Sequence, residues 1–162
     1  MKRLLMIAVL ACAMSSGSAF AALTLQRTTT LSDSLGGTLT AATSGTIESP
    51  GADTTTHVTL TNFHPHDGQN LVASGNLTRT HERSNETVTN TYSGSVALTG
   101  TDKDGKPVDD NVVLQNLQVV RDSDGPAFSG TIVLNGTSID AAQMPDAVKH
   151  LLHRVLRVFD FD

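Results

Sequence analysis

Polar and apolar residues alternate along much of this chain, and the longest alternating stretch covers residues 70–100. Folding it back at Ser84-Asn85 places the apolar side chains of both halves on one face, and Gly75 then lies opposite Gly94. A period of two predicts a long β-hairpin. A slip of one residue would move every apolar side chain to the other face, so the faces are well specified. The apolar row consists of Leu71, Ala73, Leu77, Tyr92, Val96 and Leu98.

Further strands are predicted on both sides of the hairpin, separated by turns rich in Gly, Pro, Asn and Asp. They cover residues 23–29, 38–49, 54–63, 112–121 and 127–135. The connections, among them the turn at 50–53 and a polar loop at 101–111, are short enough to join neighbouring antiparallel strands. The pattern predicts a mainly β fold, an antiparallel up-and-down meander of about six to seven strands.

A row of glycines predicts the shape of this sheet. Ser-Gly followed by a small polar and an aliphatic residue occurs four times, with the glycines at Gly45, Gly75, Gly94 and Gly130. Registering each hairpin on its turn places all four on the apolar face, with Val58 opposite Gly45 and Gly75, and Val119 opposite Gly130. Glycine inside a strand marks a bend or a close approach by another backbone. The sheet is therefore predicted to be curved or barrel-like.

The end of the chain predicts one amphipathic helix at residues 145–159, with Pro145 at its first position. Its apolar residues recur at helical spacing: Val148, Leu151, Leu152, Val155 and Phe159. We expect this side, with Leu151 and Val155, to lie against the sheet at Gly75 and Gly94. The alternative is that the glycines only relieve crowding inside a closed barrel or sandwich.

The opposite side of the helix is basic. It carries Lys149, His150, His153, Arg154 and Arg157. Such a side can contact an anionic membrane surface or an acidic partner. The simpler interpretation is the solvated side of a helix that packs on a core.

The first residues are typical of a secretory signal peptide. Two basic residues precede an apolar run at 4–14, which is shorter than the roughly 20 residues that span a bilayer, and small residues surround a cleavage position near Ala21. A lipoprotein signal that uses Cys12 is the alternative. We expect residues 1–21 to be the signal peptide, 22–162 to form a single β domain, and the protein to be periplasmic or secreted.

The cysteine count and the net charge argue against several classes of function. Cys12 is the only cysteine, so the mature chain would have no disulfide and no thiolate nucleophile. Loss of two basic residues with the signal peptide leaves 9 basic against 16 acidic residues, a formal net charge of −7. This balance argues against a nucleic-acid partner. No further segment is apolar enough to predict a transmembrane span.

The sequence His64-Pro65-His66-Asp67 is the most suggestive cluster for chemistry. Two imidazoles and a carboxylate can hold zinc or copper, and an aspartate of the 101–111 loop lies at the same end of a meander. The simpler interpretation is a polar turn without a cofactor. The Asp-x-Asp-Gly sequences at Asp102 and Asp122 lack the other ligands of a calcium loop and predict hairpin turns.

No nucleophile elbow or paired carboxylate indicates an enzyme. We therefore expect a non-enzymatic bacterial envelope or secreted protein with a binding or structural role, whose partner is another protein or a small ligand. Two alternatives stay open. One is a periplasmic metal-binding protein that uses His64, His66 and Asp67. The other is a carrier of a small apolar ligand between sheet and helix, which an open pocket beneath the helix would favour.

Overall fold

One antiparallel sheet of eight strands makes up most of the protein. The structure, a computed structural model, describes residues 22–48, 51–65, 70–84, 86–102 and 104–159. The strands are β1 (Leu23–Ser32), β2 (Thr38–Glu48), β3 (Gly51–Phe63), β4 (Leu71–Ser84), β5 (Thr87–Thr101), β6 (Pro107–Asp122), β7 (Gly125–Leu134) and β8 (Thr137–Asp140). The predicted signal peptide lies outside the described residues.

Each strand pairs with the next strand in the chain, so the sheet is an up-and-down meander with β1 and β8 at its edges. The predicted fold class is confirmed, and the sheet is not closed. The strand count was too low because β8 was missed. The prediction of a polar loop at 101–111 was wrong in its second half, since Pro107–Asn111 pair with β5 as the start of β6. Val108 there is half-buried and packs against the core.

The predicted pairing inside the long hairpin was wrong by two residues. The pairing closes at Ser84 and Thr87, which places Gly75 opposite Val96 and Gly94 opposite Leu77. The predicted partners Val58 and Val119 were also wrong, because Gly45 pairs with Thr54, Leu60 with Gly75, and Val119 with Phe128. In each case the observed partner lies an even number of residues from the predicted partner. The apolar faces therefore stay as predicted, although the cross-strand partners change.

At Gly75 and Gly94 the backbone of the paired strand passes close by, which is one of the two roles expected of glycine inside a strand. Gly75 has φ +146° and Gly94 has φ +122°, values that residues with a side chain rarely adopt. A Cβ at Gly75 would collide with the backbone carbonyl of Ser95, and a Cβ at Gly94 with that of Asn76. The nearest atoms to an added Cβ thus belong to the paired strands. Glycine is required here because the backbone has a positive φ and the paired strand leaves no room for a side chain.

The C-terminal helix covers the curled face of the sheet. Helix α1 runs over Asp146–Leu156 and continues as a short 3-10 helix at Arg157–Phe159, close to the predicted 145–159. Another short 3-10 helix, Ala141–Gln143, links β8 to this segment. The buried residues of the C-terminal segment belong to one hydrophobic core with the inward side chains of β2 to β7. They are Val148, Leu152, Val155, Val158 and Phe159.

Candidate functional site

His64, the first residue of the predicted metal cluster, directly follows β3 and binds the carboxylate of Asp33. Asp33 Oδ2 lies 2.7 Å from the backbone nitrogen of His64 and 2.9 Å from its ring Nδ1. The other oxygen of Asp33 accepts hydrogen bonds from the backbone N–H groups of Leu35 and Gly37, at 2.8 and 2.9 Å. We call this group of four residues the Asp33 clasp. It joins the β1–β2 connection to the end of β3.

Burial acts to raise the pKa of Asp33, but the hydrogen bonds that its carboxylate accepts lower the pKa by more. The bonds from the backbone and ring of His64 contribute most, followed by those from Gly37 and Leu35. The net result is a pKa well below the ordinary range of an aspartate. The Asp33 side chain is only 6 % exposed, so the clasp holds a buried negative charge.

The structure does not bring a metal set together at His64. His66 and Asp67 lie outside the described residues, and within the described part of the chain no three His, Cys, Asp or Glu side chains are grouped to hold a metal ion. The zinc or copper site of His64, His66 and Asp67 stays a prediction. The two Asp-x-Asp-Gly sequences form hairpin turns as predicted, with Asp102 and Asp122 accepting backbone hydrogen bonds within their own turns.

A pocket of about 330 Å³ lies between the curled face of the sheet and the C-terminal segment. It is open to solvent at one side. One wall comes from β4 to β7 and the other from α1 and the 3-10 helix that follows it. The described lining residues are Arg79, Tyr92, Val119, Arg121, Phe128, Met144, Lys149, Leu152, His153, Leu156, Arg157 and Phe159.

The charged residues that line this pocket are all basic. Lys149 is paired with Asp146 on the helix surface, with 2.9 Å between Nζ and Oδ1. Among the described residues, no carboxylate lies within ion-pair distance of Arg79, Arg121 or Arg157. Three arginines without an ion-pair partner among the described residues thus line one pocket, in a chain with a formal net charge of −5. The pocket is therefore a basic site on an acidic protein.

Arg79 is the most confined of these cations. Its guanidinium carbon lies 5.2 Å from the centre of the Phe159 ring, a cation–π distance. The Phe159 ring in turn contacts the ring of Tyr92, with 5.5 Å between the centroids and 58° between the planes. The Nε of Arg79 is buried and has no hydrogen-bond partner among the described residues. The guanidinium of Arg79 is thus placed against the Phe159 ring at the wall of the pocket.

The sequence prediction missed Arg79 and Arg121 as site residues. The alternation nevertheless contained the signal, because Arg79 follows Leu77 and Arg121 follows Val119 on the apolar face. The basic side of the helix was interpreted as solvated. Lys149, His150, His153 and Arg157 are indeed exposed, and all of them except His150 also line the open pocket.

No protein-family model, curated protein or solved structure matches this chain. None of the helices in the described part of the chain has the length and apolar character needed to cross a membrane.

Proposed function

We propose that this protein is an exported binding protein that holds a small ligand in the pocket between the sheet and the C-terminal segment. One observation carries the proposal: the helix covers the curled sheet without filling the space beneath it, and a pocket of about 330 Å³ remains. Ligand pockets commonly measure roughly 300 to 1,000 Å³ and have mainly apolar walls with a few polar groups. This pocket fits the lower end of that range.

The walls suit a ligand with an apolar body. Phe128 and Leu156 are half-buried, while Val119, Met144 and Leu152 are buried. Contact with such side chains removes apolar surface of a ligand from water, worth about 25 cal/mol per Å². Among the expected functions, the carrier of a small ligand is therefore favoured over a structural role.

Leu156→Trp should reduce the affinity for a ten-carbon amphiphile at least tenfold, because the indole ring would occupy space in the pocket. Leu156 is half-buried, so the variant should keep the fold. The measurement is calorimetric titration with decanoate below its micelle concentration. The matched control is His150→Trp, which places the same side chain on the exposed side of the same helix. Equal affinity in both variants would place the binding site elsewhere.

A further inference from the structure

We infer that the ligand is an amphipathic anion whose negative group is bound by Arg79, with Arg121 and Arg157 nearby in the same lining. This inference rests on the proposed function and adds the chemical class of the ligand. It starts from the guanidinium of Arg79, which lies beside Phe159 at the wall of the pocket and has no ion-pair partner among the described residues.

A cation held beside apolar and aromatic side chains without a counter-charge is unfavourable. An arginine also offers a planar fork of N–H groups that fits a carboxylate or phosphate in a bidentate pair. Arg79 faces a pocket to which no acidic residue of the described chain contributes. An anionic group of a ligand in the pocket would supply the counter-charge that the described lining residues lack.

The distribution of charge across the protein leads to the same class of ligand. The chain as a whole is acidic, with 16 Asp and Glu against 11 Lys and Arg. Arg79, Arg121 and Arg157 nevertheless collect at one pocket together with His153. Placing like charges together is unfavourable unless a negative charge joins them. Local positive potential would also favour the entry of an anion into this pocket over other parts of the surface.

The apolar residues that line the pocket favour an anion that also has an apolar part. Phe128, Leu152 and Leu156 are carbon-only side chains with no hydrogen-bond capacity, and they line the same space as the cations. A small hydrophilic anion would leave these side chains without a favourable contact. A molecule with one negative end and an aliphatic or aromatic body matches both parts of the lining.

The test compares decanoate with decanol, which has the same chain length and no charge. We expect decanoate to bind at least tenfold more tightly than decanol. Arg79→Gln should remove most of this difference while leaving the affinity for decanol within about twofold. A general disturbance of the pocket would weaken both ligands equally, so the comparison separates charge recognition from packing.

Arg83→Gln is the matched control, since Arg83 lies on the same strand and face as Arg79 but is exposed and outside the pocket lining. It should leave both affinities unchanged. Arg121→Gln, at an exposed position, serves as a second variant if Arg79→Gln does not fold, and it should weaken decanoate selectively.

The possible failures are distinguishable. Equal binding of decanoate and decanol, both reduced by Leu156→Trp, would overturn the inferred anion and leave the proposed pocket function intact. Absence of binding by either compound would overturn the proposed function and the inference with it. A loss of decanoate affinity in Arg83→Gln as large as in Arg79→Gln would show that only general surface charge matters, and it would also overturn the inference.

Discussion

Replacing Gly75 by alanine should lower the free energy of unfolding by about 3 kcal/mol. The backbone there has φ +146°, and the added Cβ would meet the carbonyl oxygen of Ser95 on the paired strand. Forcing an L-residue into an unfavourable positive-φ conformation costs roughly 1–2 kcal/mol, and overpacking costs roughly 1–3 kcal/mol. The colliding atom belongs to the backbone of a central strand, so it cannot move without disturbing β5.

Thermal denaturation is a suitable measurement, and a decrease in Tm of about 10 °C is expected for a domain of this size. Gly105→Asn is the control. Gly105 also has a positive φ, +75°, but no atom lies within 4 Å of the position of an added Cβ, and asparagine tolerates this conformation. The control should change stability by less than about 1 kcal/mol. Equal effects of the two substitutions would contradict the close approach of the β5 backbone at Gly75.

Asp33→Ala should also cost about 3 kcal/mol. The substitution removes the acceptor of four hydrogen bonds, two from His64 and one each from Leu35 and Gly37. Hydrogen bonds to a charged group contribute about 1.5 to 3 kcal/mol each, and buried donors left without a partner carry a further cost. Solvation of the freed groups by water reduces the sum. Chemical denaturation measures the change.

Asp102→Ala is the matched control for the Asp33 clasp. Asp102 accepts the backbone N–H groups of Asp104 and Lys106 in a hairpin turn, so both aspartates stabilise a strand connection. Asp33, unlike Asp102, also binds a residue outside its own turn, namely His64 at the end of β3. The control should cost about 1 kcal/mol. If the two variants lose the same stability, the long-range part of the clasp contributes nothing.

The Asp33 clasp also gives stability a defined pH dependence. The pKa of Asp33 is depressed in the folded protein, so its contribution is complete above the pKa of the unfolded chain, about 3.9. It is lost as the pH falls from there towards the folded pKa. When the pH is lowered from about 5 to about 2.5, the free energy of unfolding should therefore decrease less in Asp33→Asn than in the unmodified protein. Parallel curves for the two proteins would show that the Asp33 carboxylate is not stabilised by folding.

The sequence predicted the faces of the strands correctly, because a period of two survives any even error in pairing. Leu71, Ala73 and Leu77 are buried on one face as expected. The register could not be predicted, since it depends on local irregularities. Asn62 and Asn116 have positive φ values beside shifts in the pairing of β3 and β6. The alternation of polar and apolar residues does not show where such irregular residues lie.

The missed strand β8 had a recognisable signal. Asn135 and Gly136 have φ values of +51° and +82° between paired Leu134 and Thr137. Asn-Gly between two apolar or β-branched residues is the strongest short hairpin sequence. The predicted strand at 127–135 ran through Asn135, so the turn at Asn135-Gly136 was not recognised.

The candidate site was only partly predictable. A ligand space between sheet and helix was among the predicted alternatives, and the inward positions of Arg79 and Arg121 follow from alternation. Their meeting with Arg157 and Phe159 could not be predicted, because it depends on where the helix crosses the sheet. That crossing is set by tertiary packing of Val148, Leu152 and Val155, which periodicity alone does not specify.

Backbone NMR of the full chain during titration with decanoate tests the central claim most directly, namely that the pocket beneath the helix is the ligand site. The largest changes in amide chemical shift should occur at Arg79, Tyr92, Leu152 and Phe159, while β1 stays nearly unchanged. The largest exposed apolar pair elsewhere is Leu23 and Ile47, at 43 % and 40 % exposure on paired strands. Changes concentrated at that pair, with none at the pocket, would contradict the claim.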